Sequence, residues 1–136
     1  MEVPIAAVAD FASVTADGKL NILGIFGMIN PPTIPFQLPA MYLVIVFEAS
    51  PAETNQNKSV SATLLSGDGK ELLRLDQQVI VPPPLVPGAR VQFNAIYGIM
   101  GVTFESAGLY SFSIQVGGEE KRSVPLQVFA PKPGEV

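Results

Sequence analysis

The sequence predicts an all-β fold, and three observations lead to this prediction. Apolar and polar residues alternate along most of the chain, whereas the spacing typical of an amphipathic helix is hard to find. Thirteen prolines and twelve glycines divide the chain into short segments. Asp-Gly pairs at residues 17–18 and 68–69 stand between apolar runs and are typical of hairpin turns. We expect a β-sandwich of about eight antiparallel strands in one domain, residues 1–131, and a loose tail at residues 132–136.

The first predicted hairpin joins residues 3–14 to residues 19–30 across Asp17-Gly18. A two-residue turn of type I′ places Phe11 opposite Gly24, where the aromatic ring would cover the bare glycine backbone. In this register both faces of the hairpin are largely apolar, and both need to be covered. Either the sandwich covers both faces itself, or a second chain covers one of them, unless the register is shifted by one residue.

Polar residues are rare in this hairpin, and two of them share a face in the predicted register. Asp10 and Asn21 lie on that face together with the apolar Ile25. Asp10 could anchor a partner or an ion there. Alternatively, it satisfies backbone donors near a sheet edge or discourages pairing of that edge. We treat Asp10, Asn21 and Ile25 as possible partner contacts.

Prolines interrupt residues 31–39 and remove amide donors that a central strand needs. The segment is predicted to be a stiff connection that presents Ile34, Phe36 and Leu38. These side chains either plug one end of the sandwich or form a preformed ridge that binds a partner, so they are further possible partner contacts. The apolar run at residues 41–49 then predicts a central strand packed on both sides.

A second hairpin is predicted to join residues 58–66 to residues 70–81 across Asp68-Gly69. Counting outward from this turn places Leu64 opposite Leu73. One face of the hairpin is then apolar and the other is polar, as expected where one side contacts the core and the other contacts water.

The last third of the chain predicts a strand over residues 90–104 and then a terminal hairpin. Residues 110–116 alternate perfectly, and apolar residues recur at every second position after the turn. For both sets to share a face, the loop must hold an odd number of residues. We therefore predict a three-residue turn near residues 118–120, with Ile114 opposite Val124.

The segment Ala-Gly-Leu-Tyr at residues 107–110 resembles the tyrosine corner of immunoglobulin-like sandwiches. In that motif the hydroxyl of a tyrosine near the start of a strand bonds back to upstream backbone. The resemblance favours a specific architecture for the domain, an immunoglobulin-like Greek-key β-sandwich.

Three stretches of the chain together carry a family resemblance. They are Ala9-Asp10 with Gly-Lys-Leu-Asn-Ile-Leu-Gly-Ile-Phe at residues 18–26, the region 104–110, and Ser-Val-Pro-Leu-Gln-Val at residues 123–128. The chain resembles a family of small uncharacterised bacterial proteins, catalogued as a domain of unknown function. The resemblance implies a compact bacterial β-sandwich and supplies no catalytic residues. Gly27 stands where that family often has an acidic residue.

The composition excludes several classes of site. Cysteine and histidine are absent, so disulfides, cysteine nucleophiles, Ser-His-Asp triads and His-bearing zinc sites are excluded. No carboxylate spacing or Gly-rich turn predicts a calcium or phosphate site, and we expect neither a metal nor an organic cofactor. Eight basic residues against twelve acidic ones give a net charge of −4, which disfavours nucleic acid. Neither a signal peptide nor a membrane span is indicated, so we expect a cytoplasmic protein.

The surplus of apolar residues favours a binding function. The mean hydropathy is +0.37 and 15% of the residues are charged, so another chain is expected to cover part of the surface. We expect a non-enzymatic protein-interaction or assembly module, which forms a homo-oligomer or docks on another protein. The alternative is a β-sandwich that binds a small ligand or carbohydrate, for which Phe36, Tyr42 and Tyr97 are the candidate aromatic contacts.

Overall fold

The structure is a computed structural model that describes residues 1–132. Apart from its first residue, the predicted tail at 132–136 lies outside the described residues. A short 3-10 helix covers Pro51–Glu53, and no helix within residues 1–132 is long and apolar enough to cross a membrane. The strands are β1 (Glu2–Val14), β2 (Leu20–Ile25), β3 (Met28–Ile29), β4 (Phe36–Ala49), β5 (Asn57–Leu65), β6 (Glu71–Ile80), β7 (Val91–Phe104), β8 (Gly108–Val116) and β9 (Glu119–Val128).

These strands form two sheets packed face to face. The four-stranded sheet has the order β2-β1-β4-β7, and the five-stranded sheet has the order β3-β9-β8-β5-β6. Neighbouring strands are antiparallel, except that β3 runs parallel to β9. The chain crosses between the sheets after β2, β3, β4, β6 and β7, and the long crossovers are as in a Greek key. The predicted immunoglobulin-like sandwich is confirmed, with a short parallel pair that the sequence analysis did not predict.

The core lies between the sheets and receives alternate residues from their central strands. Leu43 and Phe47 of β4 are completely buried against Leu64 of β5 and against Phe112 and Ile114 of β8. Burying an apolar side chain of this size stabilises a fold by roughly 1.5–3 kcal/mol. A second, smaller cluster consists of Ala49, Val81 and Val91.

The tyrosine corner is present where the sequence predicts it. The Tyr110 hydroxyl donates a hydrogen bond of 2.6 Å to the backbone carbonyl of Ser106. The Tyr110 ring also packs edge-on against Phe104, with 5.0 Å between the ring centroids. These contacts fix the connection from β7 to β8, which crosses from one sheet to the other.

The first hairpin is one residue out of the predicted register. Phe11 pairs with Leu23 instead of Gly24, and Ser13 pairs with Asn21. Because side chains alternate between the two faces of a strand, this shift places Asn21 on the face opposite to Asp10. The prediction that these two polar residues share a face is therefore wrong.

The reason is the turn, which holds three residues instead of two. The Thr15 amide donates to the Lys19 carbonyl at 2.8 Å, and Gly18 adopts a φ of +87°. The second Asp-Gly turn has the same form, with the Ser66 amide donating to the Lys70 carbonyl at 2.8 Å. A glycine with positive φ in the third loop position is the alternative that an Asp-Gly pair also permits.

The second hairpin nevertheless keeps the predicted register along its length. Leu64 pairs with Leu73 as expected, although Leu65 pairs with Glu71 next to the turn. Leu72 is the extra residue between these pairs and forms a β-bulge, which restores the alternation that the longer turn would have shifted.

In the terminal hairpin the predicted three-residue turn is wrong. The turn is formed by Gly117-Gly118, with φ values of +60° and +82°. Ile114 pairs with Arg122 instead of Val124, because Lys121 bulges out of the ladder. The bulge supplies the odd residue, so the apolar residues of both strands still share the core face.

The first proline-rich segment is partly a strand, contrary to the prediction of a connection up to residue 39. β4 begins at Phe36 and includes Pro39. Pro39 is tolerated because β1 pairs with β4 only as far as Tyr42, which leaves β7 as the one neighbour at this level. The missing amide of Pro39 therefore costs no bond to a strand on its other side.

At the level of Pro39, β4 and β7 each change which of their residues face the core. Met41 pairs with Ile99 in the core, and Leu38 pairs with Val102 against the same core. The residues that face the core therefore change from odd to even numbers in both strands at once. Gly101 lies at the change and has a φ of +70°, a conformation that favours glycine.

Candidate functional site

The side of the four-stranded sheet that points away from the core carries a continuous apolar surface. Directly paired residues of neighbouring strands point to the same side, so the register defines this surface. We call it the outer apolar face, and it comprises Ile5, Ala7, Ala9, Phe11, Leu23, Ile25, Tyr42, Val44, Val46, Ile96, Gly98 and Met100. None of these residues is charged, and Asn94 borders the face on β7.

Large side chains on this face are exposed to solvent. Leu23 is 61% exposed, Ile25 65% and Phe11 46%, and Ile5 and Met100 are similarly open. Single exposed apolar side chains are normal on protein surfaces, whereas contiguous ones mark binding sites. Here the exposed residues lie on neighbouring strands of one sheet, which makes this face the candidate functional site.

A row of contacts connects the strands across the face. The Phe11 ring of β1 packs edge-on against the Tyr42 ring of β4, with 5.4 Å between the centroids. A Cβ atom built on Gly98 of β7 would lie 3.3 Å from Tyr42 Cε1 and 3.6 Å from Met100 Cε. The glycine therefore leaves the room in which the side chains of Tyr42 and Met100 lie next to each other.

Small residues form the centre of the face. Ala9 and Val44 are completely buried, although neither belongs to the clusters of the core. Ala9 lies between Ile25 and Tyr42 in the register, and these larger neighbours shield it from solvent. The face is therefore flat in the middle, with larger exposed side chains around it.

Charged groups begin only beyond the ends of the face. At one end Arg90 Nε lies 2.5 Å from Glu48 Oε1, and Gln92 donates to the other carboxylate oxygen at 3.4 Å. These hydrogen bonds, first of all the one from Arg90, lower the pKa of Glu48 below its ordinary value. At the other end Ser13 pairs with Asn21. The border of the face is thus polar, as is typical of the rim of an interface.

The outer face of the five-stranded sheet is polar instead. Ser61 Oγ donates to Asp76 Oδ1 at 2.7 Å, and Arg74 Nε lies 3.0 Å from both carboxylate oxygens of Asp76. The hydrogen bonds from Ser61 and Arg74 lower the pKa of Asp76. The predicted polar face of the second hairpin is therefore present. The same outer face continues with Ser59, Thr63, Gln78, Ser111, Ser113, Gln115, Ser123 and Gln127.

The structure separates the three candidate contacts of the first hairpin. Ile25 belongs to the outer apolar face, and Asn21 lies at its margin. Asp10 lies on the opposite side of the hairpin, where a Cβ atom on Gly24 would come within 2.5 Å of Asp10 Oδ2. Its exposed carboxylate makes no hydrogen bond to another residue within 1–132, so it caps no backbone donor there.

The three candidate contacts of the first proline-rich segment lie elsewhere. Ile34, Phe36 and Leu38 are half-buried and pack against the main core, as side chains that plug the end of a sandwich would. The structure does not bring them together with the outer apolar face.

Sequence reasoning missed other exposed apolar residues. Phe11 and Leu23 of the outer apolar face became visible only with the correct register. In the second proline-rich segment, residues 82–88, Leu85 is fully exposed and Val86 is 63% exposed. The prolines of that segment were interpreted only as the end of a hairpin, so its apolar tip carried no separate signal.

The comparison with known families adds an assignment. Residues 4–129 match the family described as "Family of unknown function (DUF6941)". The chain belongs to this family. The match confirms the resemblance to a domain of unknown function that the sequence motifs indicated. No curated protein matches the chain.

Among solved structures, the chain is similar to "The structure of a beta-glucuronidase from glycoside hydrolase family 2". The two share 12% sequence identity with a TM-score of 0.40. The similarity covers 74% of this chain and 12% of that chain, so this protein corresponds in length to a small part of the enzyme.

Proposed function

We propose that this protein is a non-enzymatic interaction module whose outer apolar face binds another protein. The observation that supports this function is the contiguous, uncharged surface across all four strands of one sheet, with large exposed side chains around a buried centre. The absence of cysteine fits a reducing compartment, and we propose that the interaction takes place in the cytoplasm.

The size of the face fits a binding surface. Four strands about 4.8 Å apart and about six residues long, at roughly 3.3 Å per residue, give a flat area of about 400 Å². Apolar patches of roughly 300–600 Å² are the largest that monomers commonly expose, and they are often functional. Covering about 400 Å² of apolar surface contributes on the order of 10 kcal/mol before the costs of association are subtracted.

The chemistry of the face restricts its partner. A charged group placed against Phe11, Leu23 or Ile25 would lose its water without gaining a counter-ion. The surface that binds here is therefore apolar and uncharged at its centre. Polar groups at the border, such as the Glu48–Arg90 pair, are placed to orient that partner.

Charge substitutions on β2 test this function. Leu23→Lys and Ile25→Lys each add an ammonium group to the face at an exposed position, so the fold should tolerate them. Leu109→Lys is the matched control, since Leu109 is 55% exposed and lies on the five-stranded sheet. Proteins cross-linked to the wild-type chain in its own cells should remain with the control and be lost, by at least about tenfold, with either β2 variant.

Two results would contradict the proposal. One is a set of cross-linked proteins that is the same for the wild type, the control and both β2 variants. The other is the absence of any cross-linked protein, a second copy of the chain included. Thermal unfolding of each variant shows whether the protein is still folded, so that a loss of binding can be attributed to the altered face.

Binding of a small ligand or carbohydrate is a second candidate function, and the Phe11–Tyr42 pair favours it. Of the aromatic residues predicted for this role, Tyr97 donates to Gln77 and Phe36 packs against the core, which leaves Tyr42. Sugar sites combine an aromatic surface with well-placed polar groups, whereas the neighbours of this pair are apolar. A sugar that raises the melting temperature of the wild type but not of Tyr42→Ala would support this function in place of the first.

A further inference from the structure

Four strands form the edges of the two sheets, and three of them carry recognisable protection. Edge strands present unpaired amide and carbonyl groups, which proteins shield by short length, charges or irregular backbone. β3 has two residues, and β2 has six with Gly24 at a φ of +68°. β6 carries Glu71, Arg74 and Asp76, which form ion pairs along its exposed side.

The fourth edge strand, β7, is neither short nor charged, and its irregular backbone at Gly101 lies near one end. It has 14 residues and contains neither a charged residue nor a proline. β4 pairs with it over its whole length, and no strand within residues 1–132 pairs with its other side. At roughly 3.3 Å per residue this edge is about 46 Å long. A long uncharged edge of this kind is a ready site for another strand.

We propose that β7 pairs antiparallel with β7 of a second copy of this chain. The two four-stranded sheets then join into one eight-stranded sheet. The inference goes beyond the proposed function, because it does not require the outer apolar face to bind anything. Residues 91–100, before the bend at Gly101, form the straight part of the edge. With a two-fold axis at Ile96, residues 92–100 pair with each other, and these nine residues supply about nine hydrogen bonds, close to the number typical of a protein interface.

The charge distribution favours a second copy as the occupant. Each chain has a net charge of −4, so two copies repel each other over most of their surfaces. Residues 91–104 contain none of this charge, so no like charges meet where the two strands pair. The edge is therefore a part of the four-stranded sheet at which self-association costs little electrostatic energy.

The pattern of side chains favours the same occupant. A two-fold axis that pairs two identical antiparallel strands sets residues of the same face opposite each other. With the axis at Ile96, Ile96 of one copy would lie opposite Ile96 of the other, and Gly98 and Met100 would lie opposite Asn94 and Gln92 on the same side of the joined sheet. The two outer apolar faces become continuous, and the dimer presents about twice the apolar surface of one copy.

Hydrogen exchange measured against protein concentration tests this pairing. In a free edge strand, alternate amides point to solvent and exchange fast, whereas in a paired strand they are protected. We expect sedimentation to show a reversible dimer, and the fast-exchanging amides of residues 91–100 to slow by at least about tenfold over the same concentration range. The amides of β6 serve as the control, and their exchange should not change.

A pair of variants separates this inference from the proposed function. Asn94→Lys on β7 adds an ammonium group to the joint in each copy, opposite Gly98 of the other copy, and should weaken the dimer by at least about tenfold. Leu23→Lys lies on the opposite edge of the sheet, roughly 14 Å away, and should leave the dimer intact while it weakens partner binding. Both proposals are supported if Asn94→Lys weakens only the dimer and Leu23→Lys weakens only partner binding.

Three results would overturn the pairing of β7 with itself. The first is a chain that stays monomeric at about 1 mM, a concentration at which even weak complexes form. The second is a dimer that Leu23→Lys weakens as strongly as Asn94→Lys does, which would indicate packing of the faces. The third is a monomer that binds a strand of another protein and releases it in Asn94→Lys, which would give the edge a different occupant.

Discussion

The outer face of the five-stranded sheet carries Ser61, Arg74 and Asp76, joined by hydrogen bonds, whereas the outer face of the four-stranded sheet carries Phe11 and Leu23. Both sheets contribute their inner faces to one core. A sandwich needs apolar residues only on the inner faces, because water can solvate the outer ones. The second apolar face is therefore not required for folding, and this difference between the sheets is the reason to assign it to binding.

Replacing one phenylalanine in the core and one on the outer apolar face tests most strongly whether the outer face is needed for folding. Phe112 is completely buried in the core, whereas Phe11 lies on the outer apolar face. We expect Phe112→Ala to lower the free energy of unfolding by about 3–5 kcal/mol and Phe11→Ala to lower it by about 1 kcal/mol. Urea denaturation at low protein concentration measures both values.

Similar losses for the two phenylalanine variants would show that the outer face contributes to folding as the core does. The two variants should differ further when their stability is measured at high protein concentration. If another chain covers the outer face, the loss caused by Phe11→Ala should grow with concentration, whereas the loss caused by Phe112→Ala should grow much less.

Charges absent from the outer apolar face are concentrated elsewhere, and Glu53 has the strongest set of partners. Its Oε2 lies 2.9 Å from the amino group of Met1 and 3.0 Å from Lys58 Nζ, and its Oε1 accepts the Ser50 amide at 3.0 Å. The hydrogen bond from the Ser50 amide, followed by those from the amino group and Lys58, lowers the pKa of Glu53 from 4.5 to about 2.

The stabilisation by Glu53 should depend on pH in a defined direction. Because the pKa of Glu53 is lower in the folded state, its contribution is complete above about pH 4.5 and is lost as the pH falls through about 2. We expect Glu53→Gln to cost roughly 1–3 kcal/mol at pH 7, and the difference from the wild type to shrink towards pH 2. Denaturation at pH 7, 4 and 2 measures this.

A control and a contrary result define the pH experiment. Glu119→Gln, at an exposed residue of the terminal hairpin, should change the stability at pH 7 by less than about 0.5 kcal/mol. A Glu53→Gln difference that stays constant from pH 7 to pH 2 would contradict the ionic origin of the stabilisation.

The smallest expected effects come from two tyrosine hydroxyls, one on each sheet. Tyr110 donates to the Ser106 carbonyl, whereas the Tyr42 hydroxyl makes no hydrogen bond to the rest of residues 1–132. Tyr110→Phe should cost about 1–2 kcal/mol, and Tyr42→Phe should change stability by less than about 0.5 kcal/mol. Equal effects in thermal unfolding would mean that the tyrosine corner adds nothing to the fold.

Local sequence patterns were sufficient to predict much of the fold. Most of the strands, the register of Leu64 with Leu73 and the tyrosine corner at Tyr110 were predictable, because each depends on alternation or on a short motif. The registers of the other hairpins were not. An Asp-Gly pair fits turns of two or three residues, and the bulge at Lys121 has no signature in the sequence.

The candidate site was harder to predict than the fold. The run at residues 41–49 is apolar at both odd and even positions, which predicts a strand but does not give the number of layers that cover it. Val44 is buried by its neighbours within the sheet, although no second layer of the sandwich packs on its side. Whether Phe11 and Leu23 point to solvent depends on the layers and the register together, and both come from tertiary structure.

The change from odd-numbered to even-numbered core-facing residues in β4 and β7 has an evolutionary consequence. Both strands change sides at one level, where Pro39 and Gly101 lie. Inserting or deleting one residue there in one strand alone would turn Leu38 or Phe104 out of the core, whereas a matched change in both strands would keep them inside. Homologues should therefore gain or lose residues at these two places together, so that the lengths of two segments far apart in sequence are inherited as a pair.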